Sequence, residues 1–326
     1  MRKIIKLSAV AVSMLLFVGC SAPKVDLSQN KDRKTEMAKT NYTQALQNVD
    51  SMIAVFNGRG INVVVNPIQD ETASAGKLPR NISTMVKSTF NKIGNNVTTL
   101  STLKLKKFPN KNIIYSIEGA ITEFDLLEAS GSGFDAAGEA TYKGQEGTTD
   151  FSMDRESKLT KLAITFNPVN TRTGSFVPRG STNNRITIDQ KSGGNEFAIS
   201  ILGTGIGLNN AITKAHGVHS SIRILIELSV VELLGRVTNY PYWLLTGGEV
   251  NQDVVSNLSR KFVRGSLGQK IQKVSYLLAL QGENVQTTSM MNSDLKSAII
   301  KYKSAHGMDA DDTIDSNLYM SLIGAS

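Results

Sequence analysis

The feature that most constrains this 326-residue chain is the position of its single cysteine. One cysteine excludes an intrachain disulfide, so any folded body must be held by its core alone. Cys20 also closes a segment of distinct character. Arg2, Lys3 and Lys6 give a basic start, and residues Leu7 to Val18 are almost wholly apolar. That run suits the apolar region of a secretory signal and is too short to cross a bilayer as a helix. Phe17-Val18-Gly19-Cys20 then sets a small residue directly before the cysteine, the lipobox pattern, with Phe17 where leucine is usual. The expectation is a signal peptide over 1–19 and a diacylglycerol on the Cys20 thiol. Ser21, in place of an aspartate, directs the expected address to the outer membrane, with the main body in the periplasm. Acyl chains contribute about 0.8 kcal/mol per buried methylene, so several of them hold a protein to lipid without a transmembrane helix.

The formal charge is +8; removing the three basic residues of the signal leaves +5. Such an excess suits nucleic acid, anionic headgroups or an acidic cargo. An export signal argues against nucleic acid. With 40% hydrophobic and 20% charged residues, the chain is globular in composition. Residues 20–50 are polar and read as a lipid-anchored linker, with Lys31, Asp32, Arg33, Lys34, Glu36 and Lys39.

Residues 51–250 read as an α/β body. Ile61 to Val65 is a short apolar run stopped by Asn66-Pro67, a strand. Ile82, Met85, Val86, Phe90 and Ile93 have helix spacing. Val97–Leu103, Ile113–Phe124 and Leu159–Phe166 read as strands, and Asn170 to Gly174 as a polar turn. A long helix is expected over Ile222–Val237, its apolar side formed by Ile222, Leu225, Ile226, Val230, Leu233 and Val237.

Two stretches, near 128–158 and 181–206, alternate differently. In the first, Phe134, Ala136, Gly138, Ala140 and Tyr142 share one face, and Phe151 and Met153 resume it after a polar turn. In the second, Ile186 and Ile188 are followed by Phe197, Ile199 and Ile201. Both read as hairpins. A membrane β-strand needs about 9–11 residues of this alternation, with aromatic residues at the interfaces. Phe134, Tyr142, Phe151 and Phe197 are candidates for that place. The same pattern also fits soluble hairpins extending a half-buried sheet. Four strands cannot close a barrel, so a membrane role requires several subunits to pool their hairpins.

These residues carry a family resemblance. Leu159 to Val177 (LTKLAITFNPVNTRTGSFV), with its Asn170, Thr173, Gly174 turn, resembles a strand-turn-strand of the curli secretion channel (CsgG/HfaB-type) family of outer-membrane lipoproteins. Ile222 to Trp243 is similar to that family's helix ending near a tryptophan, and Leu78 to Thr84 to the loop before its first helix. The resemblance covers about residues 55 to 245. It implies a homo-oligomeric ring of about nine subunits with closed symmetry. Periplasmic α/β domains would surround a vestibule, and two hairpins from each subunit would build one transmembrane β-barrel. Unfolded amyloid or adhesin-type subunits would leave by diffusion, with periplasmic accessory proteins as further partners. The loop implies a constriction lined by Leu78, Asn81 and Ile82. Leu78 and Ile82 stand where the family has aromatic residues, and the loop is one residue shorter. Taken without the resemblance, the three positions read as the start of a helix, with Ile82 packed as a staple.

Residues 267–326 resemble a small peptidoglycan-binding-like helical domain. Asp294-Leu295, Ala298, Ile299 and Tyr302 fit a helix, and Gly307, Ile314 and Asp315 follow at that domain's spacing. Lys303 and Asp312 depart from it, standing where glutamine and glycine are common. A generic three-helix appendage fits the same residues. The resemblance implies peptidoglycan as a further partner.

No motif calls for catalysis. His216 and His219 share a helix spacing without a third ligand nearby. Asp309, Asp311, Asp312 and Asp315 suggest a calcium loop, but Ile314 and Met320 occupy its glycine and glutamate places. Gly203, Gly205 and Gly207 lack the remaining glycine of a dinucleotide fingerprint. The expectation is a non-enzyme with no metal and no cofactor, either a channel or a structural envelope lipoprotein. The structural form would be a ring or collar on peptidoglycan, or an activator of a wall synthase.

Overall fold

The structure is a computed structural model that describes residues 43–72, 78, 80–101, 114–128, 158–190, 197–203 and 218–325. In chain order its elements are α1 (Thr43–Met52), a π-turn (Ile53–Asn57), β1 (Ile61–Val65), β2 (Gln69–Asp70), α2 (Ile82–Asn91), β3 (Val97–Thr99), β4 (Ile114–Glu128), β5 (Lys158–Asn170), β6 (Ser175–Phe176), β7 (Thr182–Gln190), β8 (Phe197–Gly203), α3 (Val218–Thr238), α4 (Trp243–Thr246), α5 (Gln252–Arg264), α6 (Leu267–Leu280), α7 (Ser293–Ala305) and α8 (Ser316–Leu322). The fold is mixed α/β with a helical C-terminal region.

One mixed sheet runs β3-β1-β4-β5-β7-β8, with β2 beside β4 and β6 beside β5. β1 pairs in parallel with β3 and β4, and α2 is the crossover that a parallel β1–β3 pair requires. From β4 onward the main ladder is antiparallel. β1 is buried along its whole length, as a strand flanked by parallel neighbours should be. β5 and β7 instead alternate. Leu162, Ile164 and Phe166, with Ile186 and Ile188, face inward and are at most 1% exposed. Gly119 lies opposite Phe166, and a Cβ there would meet the Phe166 ring at 2.8 Å, so only glycine lets that ring lie flat on β4.

The inward sheet face packs under α3. The apolar pattern predicts a helix with one buried side, but α3 is buried almost all round. Ser221, Ile222 and residues 224–235 are all in the interior. β5 and β7 cover one flank, and α1, α2 and the π-turn cover others. A helix apolar on every side has this fate. α1 starts inside the stretch read as linker. Leu46, Val49, Met52 and Ile53 recur at helix spacing and are fully buried, a pattern the charged residues before them masked.

α5 was not foreseen. Asn251 caps it, accepting from Asp253 N and Val254 N, while Val254, Val255, Leu258 and Phe262 form its buried stripe. The region from α5 to α8 shares the core of the α/β body and belongs with it to one compact unit spanning 40–326. Trp243 Nε1 donates to Ile323 O at 2.6 Å, Tyr276 Oη to Asn48 O at 3.2 Å, and the Phe262 and Tyr319 rings stack at 4.0 Å. The helices expected over 267–326 are thus present and share the core of the body.

Candidate functional site

The feature that distinguishes the sheet is the register of four adjacent strands. Glu128 pairs with Lys158, Lys158 with Gln190, and Gln190 with Phe197. Glu128, Lys158, Gln190 and Phe197 thus share one transverse line of the sheet; in sequence, residues 129–157 link the first two and residues 191–196 the last two. Just before the line, Leu126 and Leu127 are 42% and 46% exposed on β4. Farther in, β7 belongs to the hydrophobic core through Ile186 and Ile188. On the outer face Arg185 reaches across Ala163 of β5 to Glu123 of β4 at 2.6 Å. The second hairpin is therefore rooted in the body by β7. Of the expected interface aromatics, Phe134, Tyr142 and Phe151 lie outside the described residues. Phe197 is placed only by its backbone pairing. Cys20 also lies outside them.

The turn between β5 and β6 is the one the spacing predicts. Asn170 O accepts from Thr173 N and Gly174 N, and Gly174 takes φ 68°. The three constriction candidates divide. Leu78 and Ile82 are buried in the core, while Asn81, at the start of α2, is exposed. Ser83 Oγ accepts from Ile68 N at 2.9 Å and holds the start of α2 to the loop after β1. Of the three, only Asn81 presents its side chain to solvent.

Beneath β7 lies a buried polar network that sequence reading missed. Asn184 donates to Ser229 Oγ at 3.0 Å and to Glu232 Oε2 at 2.8 Å. Arg236 Nη2 lies 2.7 Å from Glu232 Oε1. Burial pushes the Glu232 carboxyl up, against the opposing pull of Arg236 and Asn184. Two glutamates in an apolar helix were the available signal.

The wall-binding candidates each have an internal task. The Tyr302 ring stacks on His306 at 3.9 Å, and its hydroxyl is 3.0 Å from Ser321 Oγ. Gly307 makes the turn after α7 at φ 69°. Ile314 packs against the core, and Asp315 caps α8 through Leu318 N at 2.8 Å. The acidic loop between them closes on the ammonium of Lys303, with Thr313 Oγ1 at 2.9 Å. His219 lies on α3, and His216 falls outside the described residues. Among the described residues no group of three or more His, Cys, Asp or Glu is placed to hold a metal, and no helix is long and apolar enough to cross a membrane.

No protein-family model matches the chain, and no curated protein does. Among solved structures it is similar in part to the PelC dodecamer from Paraburkholderia phytofirmans. A single-substitution form of PelC is 17% identical over 54% of this chain and 89% of that one, with a TM-score of 0.24. A second crystal form gives 15%, 53%, 89% and 0.25. A neuraminyllactose-binding hemagglutinin homolog from Helicobacter pylori is 10% identical over 64% of this chain and 92% of that one, at 0.25.

Proposed function

We propose that this protein is an outer-membrane lipoprotein, anchored through Cys20, whose copies assemble a ring-shaped secretion channel of the curli type. It would export unfolded amyloid or adhesin-type subunits by diffusion and would carry no catalytic site or cofactor. The observation that supports this reading is the shared register of Glu128, Lys158, Gln190 and Phe197. The chain enters and leaves both alternating stretches from one level of a single antiparallel sheet. Four adjacent strands from each copy, joined edge to edge, would leave no open edge in lipid.

The test is single-channel conductance of the detergent-extracted protein in planar bilayers. The control replaces 129–157 by an Asn-Gly turn joining Glu128 to Lys158, which are cross-strand partners. Removing 181–206 is no control, because Thr182, Asn184, Ile186 and Ile188 are in the core. Large steady steps that vanish in the turn variant, with its melting curve unchanged, are expected. Equal conductance without 129–157 would defeat the reading.

A second reading is a ring or collar that does not conduct, held to peptidoglycan or acting on a wall synthase. The burial of Leu78 and Ile82 favours it, since both side chains pack into the core of the single chain. A protein that forms rings on a sizing column yet stays silent in bilayers would leave this reading standing.

A further inference from the structure

The corner between α5 and α6 carries an unbalanced charge. From residue 254 to 282 the sequence has Arg260, Lys261, Arg264, Lys270 and Lys273 and no acid. Elsewhere in the helical region every lysine of α7 is paired: Lys296 with Asp312, Lys301 with Glu283, Lys303 with Asp311. Among the described residues, Lys261, Arg264, Lys270 and Lys273 have no acidic partner. Lys273 is the most exposed to consequence. Only 7% of the residue is solvent-accessible, but its Nζ is not among the enclosed unpartnered atoms: the stem is covered and the ammonium reaches the surface without an anion. Drawing an ammonium even partly out of water without pairing it is costly. Burial, and then the charge of Lys261, pulls the Lys273 ammonium below the ordinary lysine range, and burial does the same to Lys261. A carboxylate placed between them would relieve both.

Apolar surface adjoins these cations. Val263, Leu267 and Met290 are 58%, 68% and 74% exposed. Gly268, next to Leu267, lies against Ser289, next to Met290, so the last two rise together. Leu267, Lys270 and Lys273 recur every third residue and form one ridge of α6. Lys270 stands over the Phe262 ring at 5.6 Å, which ties that ridge to α5. α5 itself is rooted at the end of the sheet opposite the hairpin line. Asp253 binds Arg179, in the segment between β6 and β7, and Asn257 donates to Asn239 at 2.9 Å.

We infer that the α5–α6 corner is a docking surface for an acidic polypeptide segment, with a carboxylate held by Lys261 and Lys273 and apolar side chains set on Leu267 and Met290. Charge alone would suit any polyanion. The aliphatic rim selects a polypeptide with apolar anchors over a glycan, and the rooting of α5 away from the hairpin line selects it over the bilayer proposed above. The inference goes beyond the channel reading and stands whether or not the hairpins conduct.

The experiment uses the detergent-extracted full protein and a short fluorescent amphipathic peptide of glutamates and leucines, read by anisotropy. A lysine-for-glutamate peptide and vesicles of phosphatidylglycerol are the comparison probes. The acidic peptide should bind, and Lys261→Glu with Arg264→Glu should weaken it by at least about tenfold. Leu267→Ser with Met290→Ser should weaken it as well. Lys273→Met should abolish binding without lowering the melting temperature, since it keeps the covered stem and deletes only the unpaired charge. Unchanged peptide binding in the charge-reversed variant would overturn the inference, as would a lowered melting temperature in Lys273→Met. Vesicle capture lost on charge reversal, with no peptide binding, would overturn it in favour of a lipid surface.

Discussion

The ammonium of Lys303, a residue 2% exposed, donates to the Asp311 carboxylate at 2.5 Å, so a buried cation closes an acidic surface loop. Thr313 Oγ1 and Asp315 Oδ2 complete its surroundings at 2.9 and 3.4 Å. Burial alone would lower the lysine, but the Asp311 and Asp315 carboxylates prevail and raise it. The hydrogen bond from Lys303, then those from Thr313, hold Asp311 down at about 2.

A pH window follows from those directions. Asp311, depressed in the folded state, contributes above the ordinary carboxylate range and ceases to as pH falls through its folded value. Lys303, raised, contributes below the ordinary lysine value and ceases to as pH rises past its folded one. The loop is therefore expected to stay closed from about pH 4 to about pH 10. Its Thr313 amide, which donates to Asp311, should lose its shifted NMR resonance between pH 4 and 2. Asp311→Asn should remove that acid limb; an unaltered titration would show that the pair does not hold the loop.

The network under β7 should behave as a unit. Glu232→Ala leaves Arg236, only 12% exposed, without its carboxylate, and Asn184 with Ser229 as its remaining acceptor. Breaking a buried pair from one side costs about 3–5 kcal/mol. Glu232→Gln keeps the shape and an acceptor for Asn184, and should cost clearly less. Denaturant melts of the two variants side by side measure the difference; equal losses would assign the effect to packing.

Periodicity placed β1, α2, β4, β5, β7 and α3, because each has an apolar pattern that its burial uses directly. It missed α1 and α5 for different reasons. The α1 stripe of Leu46, Val49 and Met52 follows a charged stretch that set the composition of the whole window. The α5 stripe is sparse, Val254, Val255, Leu258 and Phe262 among eight polar or charged neighbours and one exposed valine, and its start shows only in the Asn251 cap. The polar pairings were not legible at all. Asn184 meets Glu232 across 48 residues, and no local spacing announces such a partner. Among the site candidates, only the register of the finished sheet brings Glu128, Lys158, Gln190 and Phe197 onto one line.

The C-terminal helices should not melt separately. Trp243 bonds to Ile323, and Leu318, Tyr319, Leu322 and Ile323 are each fully buried in the shared core. Burying such side chains is worth about 1.5–3 kcal/mol apiece. A chain ending at Asp315 would lose four of them, comparable to the about 5–15 kcal/mol that holds a typical domain. Calorimetry of the full protein should show one transition for residues 43–325, and the shortened chain should fail to fold. Two separate transitions would restore the independent domain.

The start of α2 separates a packing residue from a candidate lining residue one position apart. Ile82 is 6% exposed, packed in the core, whereas Asn81 is exposed and its side chain makes no cap hydrogen bond. Ile82→Ala should therefore cost about 2–5 kcal/mol through the cavity it leaves. Asn81→Trp should leave stability within about 0.5 kcal/mol, as exposed substitutions do. If copies of this loop meet around a passage, Asn81→Trp should lower single-channel conductance while the melting curve stays in place. Steps of unchanged size from a protein carrying Asn81→Trp would remove Asn81 from the constriction. The narrowest point of any passage would then have to be sought among other exposed residues.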